Sequence, residues 1–153
     1  EIMTGLLRDK LGFNGMVVTD ASHMVGMTNR MKRVDMLPAA INAGCDMFLM
    51  PSQSEPCGLA QMISCRYGTI PIVRETGGLR DSIQDAGAKG GNGFTFKTYN
   101  AHDMLDACRR AKEYYDKKAQ WGKLVTHAMK SDFSWDTSAE LYLGLYRELT
   151  GEY

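Results

Sequence analysis

Three short stretches hold residue types that could do chemistry. Each follows an apolar run that reads as a strand. They are Asp20 in "VVTD", Glu55, Cys57, Gly58 and Leu59 in "PSQSEPCGL", and Thr76, Gly77 and Gly78 in "RETGGL". In the second, Gly58 permits close backbone approach. With Pro56 as a first helical residue, the amides of Cys57, Gly58 and Leu59 would lie in the first turn of a helix. Unpaired N–H groups and the helix dipole favour a phosphate there. Glu55 can accept hydrogen bonds from sugar hydroxyls. The same residues also suit a capped strand-to-helix turn in which Glu55 only complements the dipole. Thr76, Gly77 and Gly78 form a second amide-rich turn, suited to a diphosphate or a sugar, or equally to a plain glycine turn. Two such loops on neighbouring strands say more than either alone. Asp20 reads from its surroundings as the N-cap of a helix over "ASHMVGM".

The elements that must position these loops alternate. "IMTGLLRDKLG" has helical apolar spacing and a stop at Gly12. "GMVVTD" reads as a buried parallel strand. "MKRVDMLPAAINAG" follows as a helix complicated by Pro38 and stopped at Gly44. The next strand is "CDMFLMPS", then a helix over "CGLAQMISCRYG" and a third strand, "TIPIVRE", with an irregular start at Pro71. A short helix, "GGLRDSIQDAG", precedes a fourth strand, "GFTFKT", with "QDAGAKGGNG" as the candidate mobile loop. Three helices close the chain. The first turns Met104, Leu105, Cys108, Ala111 and Tyr115 to one side. The second does the same with Trp121, Leu124, Val125, Ala128 and Met129. The last, capped by Asp136, is expected to bury Ala139, Tyr142, Leu145, Tyr146 and Leu149.

This order predicts an α/β fold: one three-layer or two-layer Rossmann-like domain with a four-stranded parallel sheet, order 1-2-3-4, plus C-terminal helices. In such sheets ligands sit at the carboxyl ends of the strands. Sequential right-handed crossovers place the connecting helices on one face. The C-terminal helices must cover the other, or an exposed sheet face favours a homodimer.

Composition narrows the function classes. The 153 residues suffice for one compact domain, and 18 basic against 18 acidic residues argue against nucleic acid or an anionic membrane as partner. No apolar run is long enough to span a bilayer, and the charged start "EIMTGLLRDKLGF" does not read as a secretory signal. Without an initial Met, the chain reads as an excised or fused piece. Cys45, Cys57, Cys65 and Cys108 form no C-x-x-C pair and have no histidine at ligand spacing, so no metal site is expected. A reducing cytoplasm is the expected setting. Eleven methionines fit a permissive core.

The segment "FLMPSQSEPCGLAQMISCRYGTIPIVRETGGLRDSI", with "GNGFTF" and "DFSWDTSAELYLGLY", resembles the C-terminal part of bacterial glycogen and starch synthases. These are retaining GT-B glycosyltransferases that move glucose from ADP-glucose to an α-1,4-glucan. The resemblance covers residues from about 46 to 153. It implies that Glu55 contacts the donor glucose, that Cys57, Gly58 and Leu59 lie beside the donor sugar and diphosphate, and that Thr76, Gly77 and Gly78 line the same cleft. It also implies that "DFSWD" and its helix pack toward another domain. The front, "LRDKLGFNGMVVTDASHMVGMTNRM…AAINAGCDMFLM", resembles instead a fragment of a glycoside hydrolase family 3 barrel, of the β-N-acetylhexosaminidase or β-glucosidase kind. There the Asp of "VVTDA" is the catalytic nucleophile, so Asp20 is its counterpart. A retaining glycosidase needs a second, acid/base group, and His23 does not match that position.

The two resemblances meet in "AGCDMFLMPS". They imply a chimera, with a family 3-like fragment over 1–50 and a synthase-like nucleotide-sugar fragment over 46–153, folded as one domain. The implied function is that of a glucosyltransferase fragment with a partial ADP-glucose or ADP site. It is expected to be inactive alone, because the acceptor domain and the diphosphate-binding Arg/Lys pair of the synthases have no counterpart in the sequence. No α-glucan binding and no cofactor are expected. The alternatives are a non-catalytic structural chimera and a residual glycosidase using Asp20.

Overall fold

A computed structural model describes residues 2–19 and 32–151. Seven helices and four strands are formed among them. The first helix, α1 (Ile2–Lys10), is π-helical and closes with the Leu11 N–H donating to the Leu6 carbonyl at 2.9 Å. Strand β1 is two residues, Val18–Thr19, and α2 spans Arg33–Asn42. Then come β2 (Met47–Met50), α3 (Ala60–Arg66), β3 (Ile70–Arg74), α4 (Gly77–Ser82) and β4 (Phe94–Phe96). Helices α5 (Ala101–Asp116), α6 (Lys118–Lys130) and α7 (Trp135–Thr150) complete the chain.

All strand pairs are parallel, in the order β1-β2-β3-β4. Three strands form the body of the sheet. The full strand expected from "GMVVTD" is reduced to two paired residues at the edge, Val18 opposite Met47 and Thr19 opposite Phe48. Pro71 is tolerated inside β3 for a local reason. Ile70 N–H points to β2, bonding the Asp46 carbonyl at 3.0 Å, so the proline nitrogen points the other way, where pairing with β4 starts only at Ile72.

The core follows from the strand composition. Met47, Ile70, Ile72, Val73 and Phe94 are essentially inaccessible, and Leu79, Cys65, Ala107, Ala111, Leu124 and Ala128 close over them from the helices. Because successive strand residues face opposite sides, the unbroken burial of Ile70 to Val73 and of Phe94 to Phe96 means both faces of β3 and β4 are covered. The exposed sheet face considered as a dimer surface is absent from these strands. Phe94 also meets Tyr114 edge-on at 5.2 Å, and Tyr115 meets Trp121 at 5.3 Å, tying α5 to β4 and to α6.

The glycine stops form as the sequence implies. After α2, Gly44 takes φ +97° and its N–H bonds the Ile41 carbonyl, while Cys45 N–H bonds that of Ala40. This is the Schellman pattern. The "QDAGAKGGNG" loop departs from expectation, because its ends are anchored. Asp85 pairs with Arg110 at 2.7 Å and Asn92 is buried, bonding Gln84, Ser82 and Ser131. Burial alone would raise the Asp85 carboxyl. Arg110 and the N–H groups of Thr95 and Gly87 outweigh that and hold it below its ordinary value.

Helix α7 is the largest correction. It starts from Ser134, with Asp136 inside its first turn, and none of its residues is buried. Ala139, Tyr142, Leu145, Tyr146 and Leu149 are all exposed. Their spacing does make an apolar stripe, but that stripe is left uncovered by the described residues. Leu105 and Met129, expected on buried faces, are also exposed.

Candidate functional site

Strands β2 and β3 are neighbours, so their carboxyl ends deliver the two glycine-bearing loops to one place. The approach is backbone against backbone. Gly78 N–H donates to the carbonyls of both Glu55 (3.2 Å) and Pro56 (3.1 Å). A methyl group on Gly77 would lie 2.0 Å from the Glu55 carbonyl oxygen, and one on Gly78 would lie 2.1 Å from that of Cys57. Gly77 also has φ +45°. Both positions therefore require glycine, and what they admit is the opposite loop. Thr76 N–H is likewise engaged, by the Arg74 carbonyl at 2.8 Å. The amide-rich turn expected to face a diphosphate spends part of its donors on holding the two loops together.

The helix following Cys57 begins later than the sequence suggests. Leu59 is the N-cap and Ala60 the first helical residue, so Cys57, Gly58 and Leu59 are loop residues and not a first helical turn. Gly58 adopts φ +67°, which breaks the helix run from Pro56. Among the described residues, the N–H groups of Cys57, Gly58 and Leu59 have no backbone partner. Glu55 is half-buried and Cys57 exposed. The side chain of Leu59 is turned away from the loop contact. It lines a groove of about 470 Å³ with Met62, Ile63, Arg66, Tyr67 and Phe133.

Gln61 is the residue that sequence reasoning missed. It is fully buried, and its Nε2 donates to the carbonyls of Cys57 (3.2 Å) and Gly58 (3.0 Å) and to Ser82 Oγ (3.1 Å). Ser82 Oγ in turn donates to the Gly78 carbonyl at 2.6 Å. One amide thus links both loops, and its Oε1 has no partner among the described residues. The available signal was the Gly58-x-x-Gln61 spacing, which lets a side chain near a helix start reach back to the preceding turn. Arg74 fixes the other end of the loop, donating to the carbonyls of Ser52 (2.8 Å) and Gln53 (2.5 Å) and lying 5.8 Å from the Tyr99 ring centre. It is a strand-end cation committed to loop carbonyls.

Asp20 and His23 lie outside the described residues. No group of three or more His, Cys, Asp or Glu that could hold a metal occurs among the described residues. The four cysteines are free thiols, and burial pushes that of Cys65 up to about 12. No described helix is long and apolar enough to cross a membrane.

This arrangement is an α/β unit of parallel strands with paired carboxyl-end loops, and comparison with known proteins shows which families it resembles. The chain joins stretches similar to two of them. Residues 1–70 match the glycosyl hydrolase family 3 N terminal domain. Most of the chain is similar to glycogen synthases: 57% identical over 112 residues to that of Lachnoclostridium phytofermentans, covering 71% of this chain and 23% of the relative. The glycogen synthase of Anoxybacillus flavithermus is 54% identical over 117 residues, covering 75% and 24%. Among solved structures, the catalytic domain of starch synthase IV from Arabidopsis thaliana, bound to ADP and acarbose, superposes with a TM-score of 0.64 at 45% identity. It covers 73% of this chain and 24% of that one. The chain spans about a quarter of the length of the curated relatives it matches.

Proposed function

We propose that this chain carries part of the donor side of a retaining glucosyltransferase site and binds ADP-glucose or ADP weakly. In this reading Glu55 accepts hydrogen bonds from the glucose hydroxyls. The N–H groups of Cys57 and Gly58 face the sugar and diphosphate, and Thr76 and Gly77 close the cleft from β3. Leu59 contributes backbone only, since its side chain lines a different groove. The observation that carries the reading is the direct apposition of the Glu55–Cys57 and Gly77–Gly78 backbones, in a region similar to starch synthase. The solved neighbour holds ADP.

Donor binding and sugar transfer are separate claims. Developing charge on a diphosphate leaving group needs aligned donors or cations. Arg74 is already committed to carbonyls. Transfer is therefore proposed to require residues beyond this set, and these residues alone are expected to bind donor without extending a glucan. The domain reading follows the same line: a family 3-like fragment over 1–50 and a Rossmann-like, synthase-like fragment over 46–153, joined in the strand they share and folded as one unit.

Thermal unfolding with and without ADP-glucose tests this, alongside Glu55→Ala. At about a hundred times its dissociation constant a ligand adds roughly 2.7 kcal/mol, a rise on the order of 5–10 °C for a chain of this size. A rise that disappears in Glu55→Ala supports the donor site. A cooperative transition that ADP-glucose does not move favours the second reading, a structural chimera. That reading draws on the consumption of the Gly78 N–H in loop contact. A residual glycosidase using Asp20 would need turnover of a chromogenic N-acetylglucosaminide that Asp20→Asn abolishes.

A further inference from the structure

Gln61 is fully buried, yet its Oε1 has no partner among the described residues. An unpaired acceptor inside a protein is costly, and an apolar side chain of the same shape would avoid the cost. Filling space therefore does not account for an amide at this position. What the amide supplies lies at its other end. Nε2 donates to the Cys57 carbonyl at 3.2 Å, the Gly58 carbonyl at 3.0 Å and Ser82 Oγ at 3.1 Å. Exchanging oxygen and nitrogen would set an oxygen against two carbonyl oxygens, so the amide has one workable orientation. A methyl group on Gly58 would lie 2.6 Å from Oε1, so the glycine and the amide are fitted to each other.

Peptide geometry carries the consequence outward. No peptide bond among the described residues is cis, and in a trans peptide the C=O and the following N–H point in opposite directions. With the Cys57 carbonyl held by Gln61, the Gly58 N–H is turned away from the amide. The Gly58 carbonyl does the same for the N–H of Leu59. Neither N–H has a backbone partner among the described residues. Gly58 at φ +67° followed by Leu59 at φ −117°, ψ −25° also sets successive N–H groups toward one side, as in backbone nests that hold anions. The same amide reaches the second loop. Ser82 Oγ donates onward to the Gly78 carbonyl at 2.6 Å, and Gly78 N–H returns to the carbonyls of Glu55 and Pro56.

We propose that Gln61 is the positioning residue of the donor site. It holds the segment from Cys57 to Leu59 from behind, so that the N–H groups of Gly58 and Leu59 meet the diphosphate of the donor. This rests on the donor-site reading above. Being buried, Gln61 itself touches neither sugar nor phosphate and acts through two backbone amides. Its effect therefore falls on the diphosphate and not on the glucose, which Glu55 contacts in that reading.

NMR of the backbone amides, with the isotope-labelled chain titrated with ADP and with ADP-glucose, tests this. The Gly58 and Leu59 signals should shift with both ligands. Gln61→Met keeps the side chain's length and removes the donor and the unpaired acceptor together. It should weaken both ligands by the same factor, about tenfold, with thermal unfolding still cooperative. Glu55→Ala should weaken ADP-glucose and leave ADP unchanged. If Gln61→Met binds both ligands as the unaltered chain does, or loses ADP-glucose far more than ADP, Gln61 only shapes the fold. The proposal then falls while the donor-site reading stands. Gly58 and Leu59 signals that stay fixed while other amides shift overturn it in the unaltered chain, whatever the variant does. An unaltered chain that responds to neither ligand removes the donor-site reading, and the proposal with it.

Discussion

The described front of the molecule, residues 2–19 and 32–45, and the body, residues 46–151, are built to different standards. The body holds β2 to β4 and nearly all of the buried apolar residues, from Met47 to Ala128. The front contributes only Val17 and Cys45 to the buried set described, and its one described strand pairs through two residues. Around the junction the front is also held by polar contacts, beside the apolar packing of Met16 and Ile41 against the body's core. The Asp46 carboxylate accepts from Arg8 at 2.7 Å and from Val17 N–H at 2.8 Å. Thr69 Oγ1 donates to the Cys45 carbonyl at 3.1 Å, and the Tyr115 hydroxyl to that of Gly15 at 3.4 Å. Among the described residues the front's attachment combines local polar contacts with a few apolar ones, while the body's cohesion is apolar and distributed.

The strongest way to break this contrast is to cut into the body. Phe94→Ala removes an almost wholly buried ring that meets Tyr114 edge-on, and should cost about 3–5 kcal/mol. Chemical denaturation should show both regions lost together, because the described residues of the front form no separate core of their own.

Asp46→Ala attacks the seam and should cost about 2 kcal/mol, since Arg8 and the Val17 N–H lose their acceptor in a partly buried place. Hydrogen exchange should rise in residues 2–19 while β3 and β4 keep their protection. Equal loss in both regions would mean the seam is part of the core after all.

The pH dependence of stability sharpens the picture of the body. Asp85 is held below its ordinary value when folded, so its contribution is complete above about pH 4 and is lost as pH falls through the lower folded value. Asp85→Asn should flatten that acid limb. The Cys65 thiol is raised from 9.0 to about 12, so the neutral form is the one the fold favours. Its contribution is complete below pH 9 and is lost as pH rises toward 12, and Cys65→Ala should remove that alkaline slope. Both are read from denaturation midpoints against pH.

The smallest effect belongs to the exposed Lys112–Asp116 pair on α5. Lys112→Ala should change stability by about 0.5 kcal/mol or less in the same denaturation experiment. A larger loss would show that surface ion pairs, and not burial, hold the body.

How much could be seen in the sequence follows the same division. The strands β2 to β4 were legible because runs such as "MFLM", "IPIV" and "FTF" suit only a doubly covered sheet. Gly12 and Gly44 marked helix ends because nothing else sits as easily at positive φ. The start of α3 was misplaced, since Pro56 suggests a first helical residue while Gly58 at φ +67° postpones the helix to Ala60. Gln61 was passed over because a lone polar residue in an amphipathic pattern normally faces water; the Gly58-x-x-Gln61 spacing hints at a reach back to the turn, and only the tertiary contact of two loops gives it a buried task. The α7 stripe was read correctly as apolar and wrongly as buried. Periodicity reveals that a face seeks a partner, not whether the partner belongs to the same chain. Among the site residues, their presence at two adjacent strand ends was legible. The donation of Gly78 N–H to the opposite loop was not, because it depends on the distance between two backbones.

The most direct measurement of the central claim is hydrogen exchange of individual backbone amides with and without saturating ADP-glucose. The account predicts added protection at Cys57, Gly58 and Gly77, unchanged exchange in residues 2–19, and loss of the effect in Glu55→Ala. Protection confined to other parts of the chain, or none at any concentration, would contradict it.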